Sequence, residues 1–191
     1  MKITECHELL SDALSGTRIT YPENTPLNRV ASSIIVMVHA YESDSATFFA
    51  SGDSVNALAG CWYAFGWLHF GISFGLLTDD RRNSCPFRER CEVLEARFRQ
   101  KLEEKEHRYA HLLATANSAV EPAPDPATAG YDFSCRVLAI TEIYSTKGRR
   151  YSQSGALEDA LACYSYGHGW LDAAVTAGLF RVVAERDIFT V

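Results

Sequence analysis

The residues with the clearest chemical potential lie in the last quarter of the chain, where a histidine and an aspartate stand four positions apart. His168 and Asp172 would share one face of a helix, with Tyr164 one turn before them. A histidine beside a carboxylate can act as a general base or as a metal ligand. The same spacing also arises when two side chains simply cross-link a helix surface. The pair therefore predicts a site only if other groups converge on it.

Glu142 is the third candidate residue, because it occupies on a preceding helix the place that His39 holds earlier in the chain. A cluster of Glu142, His168 and Asp172 would suit a small-molecule-binding or metal-dependent enzyme. The sequence contains no Gly-x-Ser-x-Gly, Walker-type loop, dinucleotide fingerprint or His-Glu-x-x-His. We therefore favour a non-enzymatic scaffold or protein-interaction module without cofactor or metal, and keep the enzyme as the alternative.

The cysteines show no pattern typical of a metal site or a disulfide framework. They stand at positions 6, 61, 85, 91, 135 and 163, without Cys-x-x-Cys spacing, and the first residues, MKITECHELL, do not resemble a signal peptide. We expect free, mostly buried thiols in a cytoplasmic protein. A zinc site of Cys85, Cys91 and His7 is the alternative, but structural zinc requires four ligands at short paired spacings.

The element that would position the candidate residues occurs twice in the chain. Residues 51–77, SGDSVNALAGCWYAFGWLHFGISFGLL, align without a gap on residues 154–180, SGALEDALACYSYGHGWLDAAVTAGLF, and 11 of the 27 positions are identical. The offset is a constant 103 residues. The repeated positions that we single out as a structural motif are Tyr63/Tyr166, Gly66/Gly169, Trp67/Trp170 and Gly75/Gly178.

The two copies differ at positions that carry the chemistry. His69 stands where the second copy has Asp172, and Phe65 stands opposite His168. The repeated tyrosine and tryptophan predict core positions, and they would line a ligand pocket only if a cavity remained between the helices.

The repeat extends upstream, because SIIVMVHAY at 33–41 aligns with RVLAITEIY at 136–144 at the same offset. An amphipathic helix, a small turn and then a helix reading A-L-x-x-x-x-Y-x-x-G-W-L-D-A resembles the archaeal domain-of-unknown-function family numbered 357. The second copy matches that pattern closely, and the first departs from it at Phe65 and His69. The resemblance implies small three-helix, spectrin-repeat-like bundles and an archaeal origin, but it carries no activity.

We predict an all-α fold of two tandem three-helix units about a pseudo-two-fold axis, with a short extended or β-like tail at the C-terminus. The units would span residues 1–80 and 84–191. The second would begin with a long helix from Ser84 or Cys85 to about Asn117, followed by a linker-like loop at 118–130, which is rich in proline. The segment GTRITYPENTP would form a loop in the first unit.

Charge and hydropathy limit the classes of partner that the protein is expected to bind. A net charge of -6 without a basic stripe disfavours nucleic acid. Residues 54–78 carry no charge and are long enough to span a membrane, but the aligned copy carries Glu158, Asp159 and Asp172, so the element suits a water-soluble bundle. We expect a protein partner, and either a monomer with an internal pseudo-dimer or a homodimer.

The repeat also predicts a specific contact. A helix from Ser54 to Phe74 is too apolar to be half exposed, so we expect it to face the helix from Leu157 to Ala177 around the axis. Equivalent residues approach each other near such an axis. His69 would then pair with Asp172, and a carboxylate beside it would raise the pKa of the histidine.

Overall fold

The computed structural model describes residues 1–79 and 89–190, and within them the prediction of an all-α fold in two units is confirmed. The helices are α1 Ile3–Gly16, α2 Pro26–Ala50, α3 Ser54–Ser73, α4 Arg99–Ser118, α5 Ala129–Gln153 and α6 Leu157–Thr176. Four strands of three residues each accompany them: β1 Thr17–Ile19, β2 Leu77–Asp79, β3 Val120–Pro122 and β4 Phe180–Val182. None of the helices in this part of the chain is long and apolar enough to cross a membrane.

The two halves repeat each other element by element at the offset seen in the sequence. Helices α2 and α5 both have 25 residues, and α3 and α6 both have 20. In each half, the strand after the first helix pairs antiparallel with the strand after the third, Thr17 with Asp79 and Val120 with Val182. The predicted loops, GTRITYPENTP at 16–26 and the linker-like loop at 118–130, contain β1 and β3, and these strands close each unit.

Sequence signals set the helix starts as expected. Thr25 accepts a hydrogen bond from the Asn28 backbone, with Pro26 at the first helical position. Asp53 caps α3 in the same way, accepting from the backbone of Asn56. Both caps satisfy N–H groups that would otherwise lack a partner at the start of a helix.

The ends of the central helices follow the same logic in both copies. Gly75 and Gly178 have φ angles of 79° and 76°. This left-handed conformation lets the following residues, Leu76 and Leu179, fold back and donate to carbonyls of the last turn, those of Gly71 and Ala174.

The start of α4 differs from the prediction. The helix begins at Arg99 after a short 3-10 turn at Ala96–Phe98, and the proposed start at Ser84 or Cys85 lies outside the described residues. The residues before the turn are held by the first turn of α6. Asp159 accepts from the Cys91 backbone at 2.8 Å, and Glu158 accepts from the Leu94 backbone at 2.9 Å. These carboxylates bind N–H groups that a longer helix would have bonded internally, and the sequence pattern gave no sign of that competition.

The prediction of free thiols was wrong for two cysteines. Cys6 of α1 and Cys61 of α3 form a disulfide, which attaches the first helix covalently to the central one. Cys91 and Cys163 are buried and free, and Cys135 is exposed. The zinc alternative involves Cys85, which lies outside the described residues, and His7 instead shares a hydrogen bond of 2.7 Å with the Ser45 hydroxyl.

Helices α3 and α6 form the centre of the molecule, as predicted. Of 20 residues each, 14 in α3 and 18 in α6 are buried, so neighbours cover both helices on nearly all sides. They cross at Gly66 and Gly169, the same position of the repeat. A Cβ atom on Gly66 would overlap the Tyr166 carbonyl oxygen, and one on Gly169 would overlap that of Tyr63. The pseudo-two-fold axis therefore passes between these two glycines.

Candidate functional site

A cavity of about 450 Å³ opens where α2, α3, α4 and α6 meet the C-terminal segment. Both units contribute to its wall. Its lining residues are Tyr41, Gly60, Tyr63, Arg108, Tyr109, His111, Leu112, His168, Asp187, Ile188 and Thr190. The volume lies in the range of small-molecule sites, and one of the histidines predicted from the sequence lines it.

Asp172 lies behind this cavity and is completely buried. Its carboxylate accepts hydrogen bonds from the Tyr63 hydroxyl and from the backbone and hydroxyl of Thr190, the backbone bond being 3.0 Å long. These donors come from the first unit and from the C-terminal segment. They supply the hydrogen bonds that a buried carboxylate requires, so Asp172 holds the site together and has little capacity left for a ligand.

His168 is only 6% exposed and stands on the cavity wall with its ring 5.7 Å from that of Tyr63. Burial lowers the pKa of His168, while the Asp172 charge and a hydrogen bond with the Ile188 backbone act in the opposite direction. Its Nε2 atom is buried without a hydrogen-bond partner among the described residues. An imidazole nitrogen donates in one tautomer and accepts in the other. A buried ring nitrogen without a hydrogen-bond partner is an uncommon and unfavourable arrangement in either case.

Tyrosines form the rest of the inner wall. The Tyr41 and Tyr63 rings lie 4.4 Å apart, and the Tyr41 hydroxyl hydrogen-bonds with Tyr63 and Thr190. Burial raises the pKa of Tyr41 and Tyr109 and raises that of Tyr63 well above its ordinary value. The phenol groups therefore keep their protons at neutral pH and offer apolar ring faces with hydrogen-bonding ends.

The repeated tryptophans lie in the core rather than on the cavity wall. Trp67 and Trp170 are both buried, and the Trp170 ring packs edge-on against Phe70 with 5.9 Å between the ring centroids. Trp170 follows His168 by two positions, and a helix turns such positions to nearly opposite sides. The alternative that would have made Trp170 a pocket residue was therefore wrong for this cavity. Its Nε1 atom is buried without a hydrogen-bond partner among the described residues.

Charged side chains stand at the rim. Arg108, His111 and Asp187 are exposed residues of the lining. Within residues 1–79 and 89–190, Arg108 makes no ion pair. An unpaired guanidinium at the mouth of a cavity can bind a carboxylate or phosphate.

Two residues that the sequence grouped with His168 lie elsewhere. Glu142 is exposed on α5, where it accepts from the Arg149 guanidinium at 3.0 Å and from Thr146 at 3.2 Å. Tyr164 packs with Leu113 on another face of α6. The structure thus brings together His168 and Asp172 but not Glu142.

Tyr63 was predicted as a core residue, with a place in a ligand pocket as the alternative, and the structure places it on the cavity wall. Other residues of the site were missed from the sequence, among them Tyr41, Arg108, Tyr109 and Thr190. Tyr41 ends the upstream part of the repeat, where Tyr144 is its equivalent, but nothing in that pattern indicated a cavity.

The predicted contact between His69 and Asp172 is wrong. His69 Nδ1 bonds the Tyr166 hydroxyl at 2.9 Å, whereas Asp172 bonds Tyr63. The axis passes at Gly66 and Gly169, almost one helical turn away, so position 69 of one copy meets position 63 of the other. The predicted rise in pKa is also reversed, because burial lowers the pKa of His69 to about 4, with Asp79 acting in the other direction.

No group of three or more histidine, cysteine, aspartate or glutamate side chains in the described ranges could hold a metal ion. The chemistry that this arrangement offers is hydrogen bonding and ring contact in a partly enclosed cavity, with an ionic group at its mouth.

Comparison with known proteins matches both repeats. A family model described as a protein of unknown function, DUF357, matches residues 6–77 and 108–180. No curated protein and no solved structure matches the chain. The two matched segments cover all three helices of each unit in whole or in part, and the second contains His168 and Asp172.

Proposed function

The chain belongs to the DUF357 family, of which it contains two tandem copies, and we propose that the cavity between the two copies is a binding site for a small organic molecule. The observation that carries this proposal is the cavity of about 450 Å³ itself, whose wall combines the rings of Tyr41, Tyr63 and Tyr109 with His168. Apolar ring faces with a few polar groups are typical of sites for small organic molecules.

The internal repeat supports this proposal. The first copy has Phe65 at the position of His168 and His69 at that of Asp172, and the second has Cys163 at the position of Gly60. Both copies keep the residues that build the fold and the tyrosines at 41/144 and 63/166, whereas the positions of His168 and Asp172 carry other side chains in the first copy. A duplicated fold with one specialised copy is the arrangement expected when one half acquires a ligand site.

The test is a fragment screen by ligand-observed NMR on the wild-type protein and on His168→Phe. Phenylalanine stands at the equivalent position of the first copy, so the exchange suits the fold. We expect fragments that bind the wild type and lose binding in the variant. His107→Ala, which removes an exposed histidine outside the cavity, should bind like the wild type. Absence of any bound fragment, or equal binding by His168→Phe, would contradict the proposal.

A protein-interaction module is the second candidate, and a separate groove supports it. Lys2, Phe49, Val93 and Phe98 are among the residues that line a cavity of about 320 Å³ near the start of α1. Val93 is 80% exposed and Phe49 39% exposed. Exposed apolar side chains in one groove are typical of contact surfaces.

Cross-linking tests this second candidate. The wild type should capture a partner protein, and the double variant Phe49→Ser/Val93→Ser should not. Ile143→Ser, which changes an exposed apolar residue on α5, is the control and should capture the same partner as the wild type.

We further propose an archaeal, cytoplasmic setting on the basis of the family resemblance. Disulfides are rare in most cytoplasmic proteins but are frequent in those of hyperthermophilic archaea. The Cys6–Cys61 bond is compatible with such a source. Fractionation of the native cells with detection of the protein would test this setting.

A further inference from the structure

We propose that the cavity binds an aromatic amino acid, with its ring among the tyrosines of the wall and its charged end between Arg108 and Asp187 at the mouth. This is a narrower statement about the same cavity and rests on the proposed function. Two observations lead to it. The mouth carries one unpaired charge of each sign, and aromatic rings and aliphatic side chains line the wall behind it.

The two charges at the mouth come from different elements. Arg108 lies on α4 and Asp187 on the C-terminal segment, and both are exposed residues of the cavity lining. In the two described ranges of the chain, neither side chain forms an ion pair, with the other or with a third residue. A ligand group at the mouth therefore meets a free cation and a free anion.

Unpaired charges of opposite sign favour a ligand that carries both. A carboxylate pairs with the guanidinium of Arg108 through two parallel hydrogen bonds, and an ammonium group donates to the carboxylate of Asp187. A ligand with one charge would pair with one of these side chains and be repelled by the other. The α-amino acid group holds an ammonium and a carboxylate on the same carbon atom, so it can pair with both.

The wall behind the mouth favours an aromatic side chain on that amino acid. Its rings and aliphatic chains are those of Tyr41, Tyr63, Tyr109, Leu112 and Ile188. Tyrosine rings bind planar rings by stacked or edge-to-face contacts. The volume of about 450 Å³ lies near the lower end of the range for organic ligands, which suits a single ring on a short chain. Phenylalanine is the simplest ligand of this class.

Titration calorimetry on the full chain compares four probes. They are L-phenylalanine, 3-phenylpropanoate, which lacks the amine, 2-phenylethylamine, which lacks the acid, and L-leucine, which lacks the ring. We expect L-phenylalanine to bind about fivefold more tightly than either singly charged probe, the ratio that one exposed ion pair gives. L-Leucine should bind severalfold more weakly than L-phenylalanine, because it loses the contacts between rings.

Two variants assign the charges to their residues. Arg108→Gln should weaken the binding of L-phenylalanine about fivefold without weakening that of 2-phenylethylamine, which has no acid group to lose a partner. Asp187→Asn should likewise weaken L-phenylalanine but not 3-phenylpropanoate. Arg97→Gln and Glu95→Gln are the matched controls, because these residues form an exposed ion pair away from this cavity, and both should bind every probe like the wild type.

Each contrary result has a defined meaning. A singly charged probe that binds as tightly as L-phenylalanine would overturn the pairing with both Arg108 and Asp187. Equal binding of L-leucine and L-phenylalanine would overturn the aromatic class. If no probe binds while the fragment screen yields other ligands that depend on His168, the assignment of an amino acid is wrong and the proposed function stands. If the screen also fails, both fall.

Discussion

At the scale of one residue, His69 shows how burial sets the pKa of a histidine. Its ring is hydrogen-bonded to a neutral tyrosine rather than to a carboxylate. Without a nearby counter-charge of sufficient strength, the loss of solvation dominates and lowers its pKa to about 4. The residue that the repeat places against Asp172 therefore has the titration of an isolated buried imidazole.

The lowered pKa of His69 predicts that the folded protein loses stability as the pH falls. A histidine with a lowered pKa takes up its proton more readily when the chain is unfolded. The stability that depends on neutral His69 is therefore fully present above the unfolded pKa of 6.5, and it is lost as the pH falls toward the folded pKa of about 4. Between about pH 7 and about pH 4.5 the wild type should lose about 2 kcal/mol more stability than His69→Gln, which keeps a hydrogen-bonding group but does not titrate. Urea unfolding of both proteins at the two pH values measures the difference. Equal losses would show that His69 is solvated.

The same scale marks the limit of prediction for the site. The spacing of His168 and Asp172 was readable, because a helix places positions four apart on one face. The sequence pattern could not identify Thr190 and Tyr63 as hydrogen-bond partners of Asp172, because they lie 18 and 109 residues from it in the chain. The sequence placed Glu142 in the cluster by its repeat position, but Arg149 holds its carboxylate on the surface.

At the scale of elements, the crossing of α3 and α6 depends on two glycines. Helices that approach this closely have no room for a side chain between their backbones. Gly66 and Gly169 lie against each other and against the opposite main chain, which cannot move aside as a side chain can. The cost of glycine in a helix, about 1 kcal/mol relative to alanine, is here offset by the contact of two buried helices.

Gly169→Ala should therefore destabilise the protein by about 3 kcal/mol or more, because its Cβ would overlap the Tyr63 carbonyl. Gly167→Ala in the same helix is the control. Its Cβ would lie 3.0 Å from the Leu113 Cδ2 atom, the end of a flexible side chain. The gain in helix propensity should nearly offset that contact, for a net change of about 1 kcal/mol or less. Thermal or urea unfolding distinguishes them, and equal effects would contradict the role assigned to the crossing.

The element scale also shows what local patterns leave out. Helix periods, proline starts and glycine stops were readable for α2, α3, α5 and α6, because these signals are local. The strands were not, because each gains its hydrogen bonds from a segment about 60 residues away. The true start of α4 was hidden for the same reason, since carboxylates of α6 bind the backbone before it.

At the scale of the whole molecule, the chain packs its two copies against each other about one internal axis. The axis between Gly66 and Gly169 relates α3 to α6, and equivalent positions 63 and 166 each bond across it, to Asp172 and to His69. These cross-bonds differ chemically, yet both join a tyrosine of one copy to a polar residue of the other. Either copy could therefore supply both sides of the contact.

The first unit alone provides the test. In a fragment of residues 1–79, α3 keeps its disulfide to α1 but loses α6, so a largely apolar surface becomes exposed. Two such fragments can restore it, because Tyr63 of each would meet His69 of the other, repeating the bond that Tyr166 and His69 make in the intact chain. Sedimentation should show a dimer or larger species, and Gly66→Leu should prevent the close approach and leave aggregated or unfolded fragment. A stable, dilute monomer of the unaltered fragment would contradict the idea, because it would mean that α3 does not need a second copy to cover it.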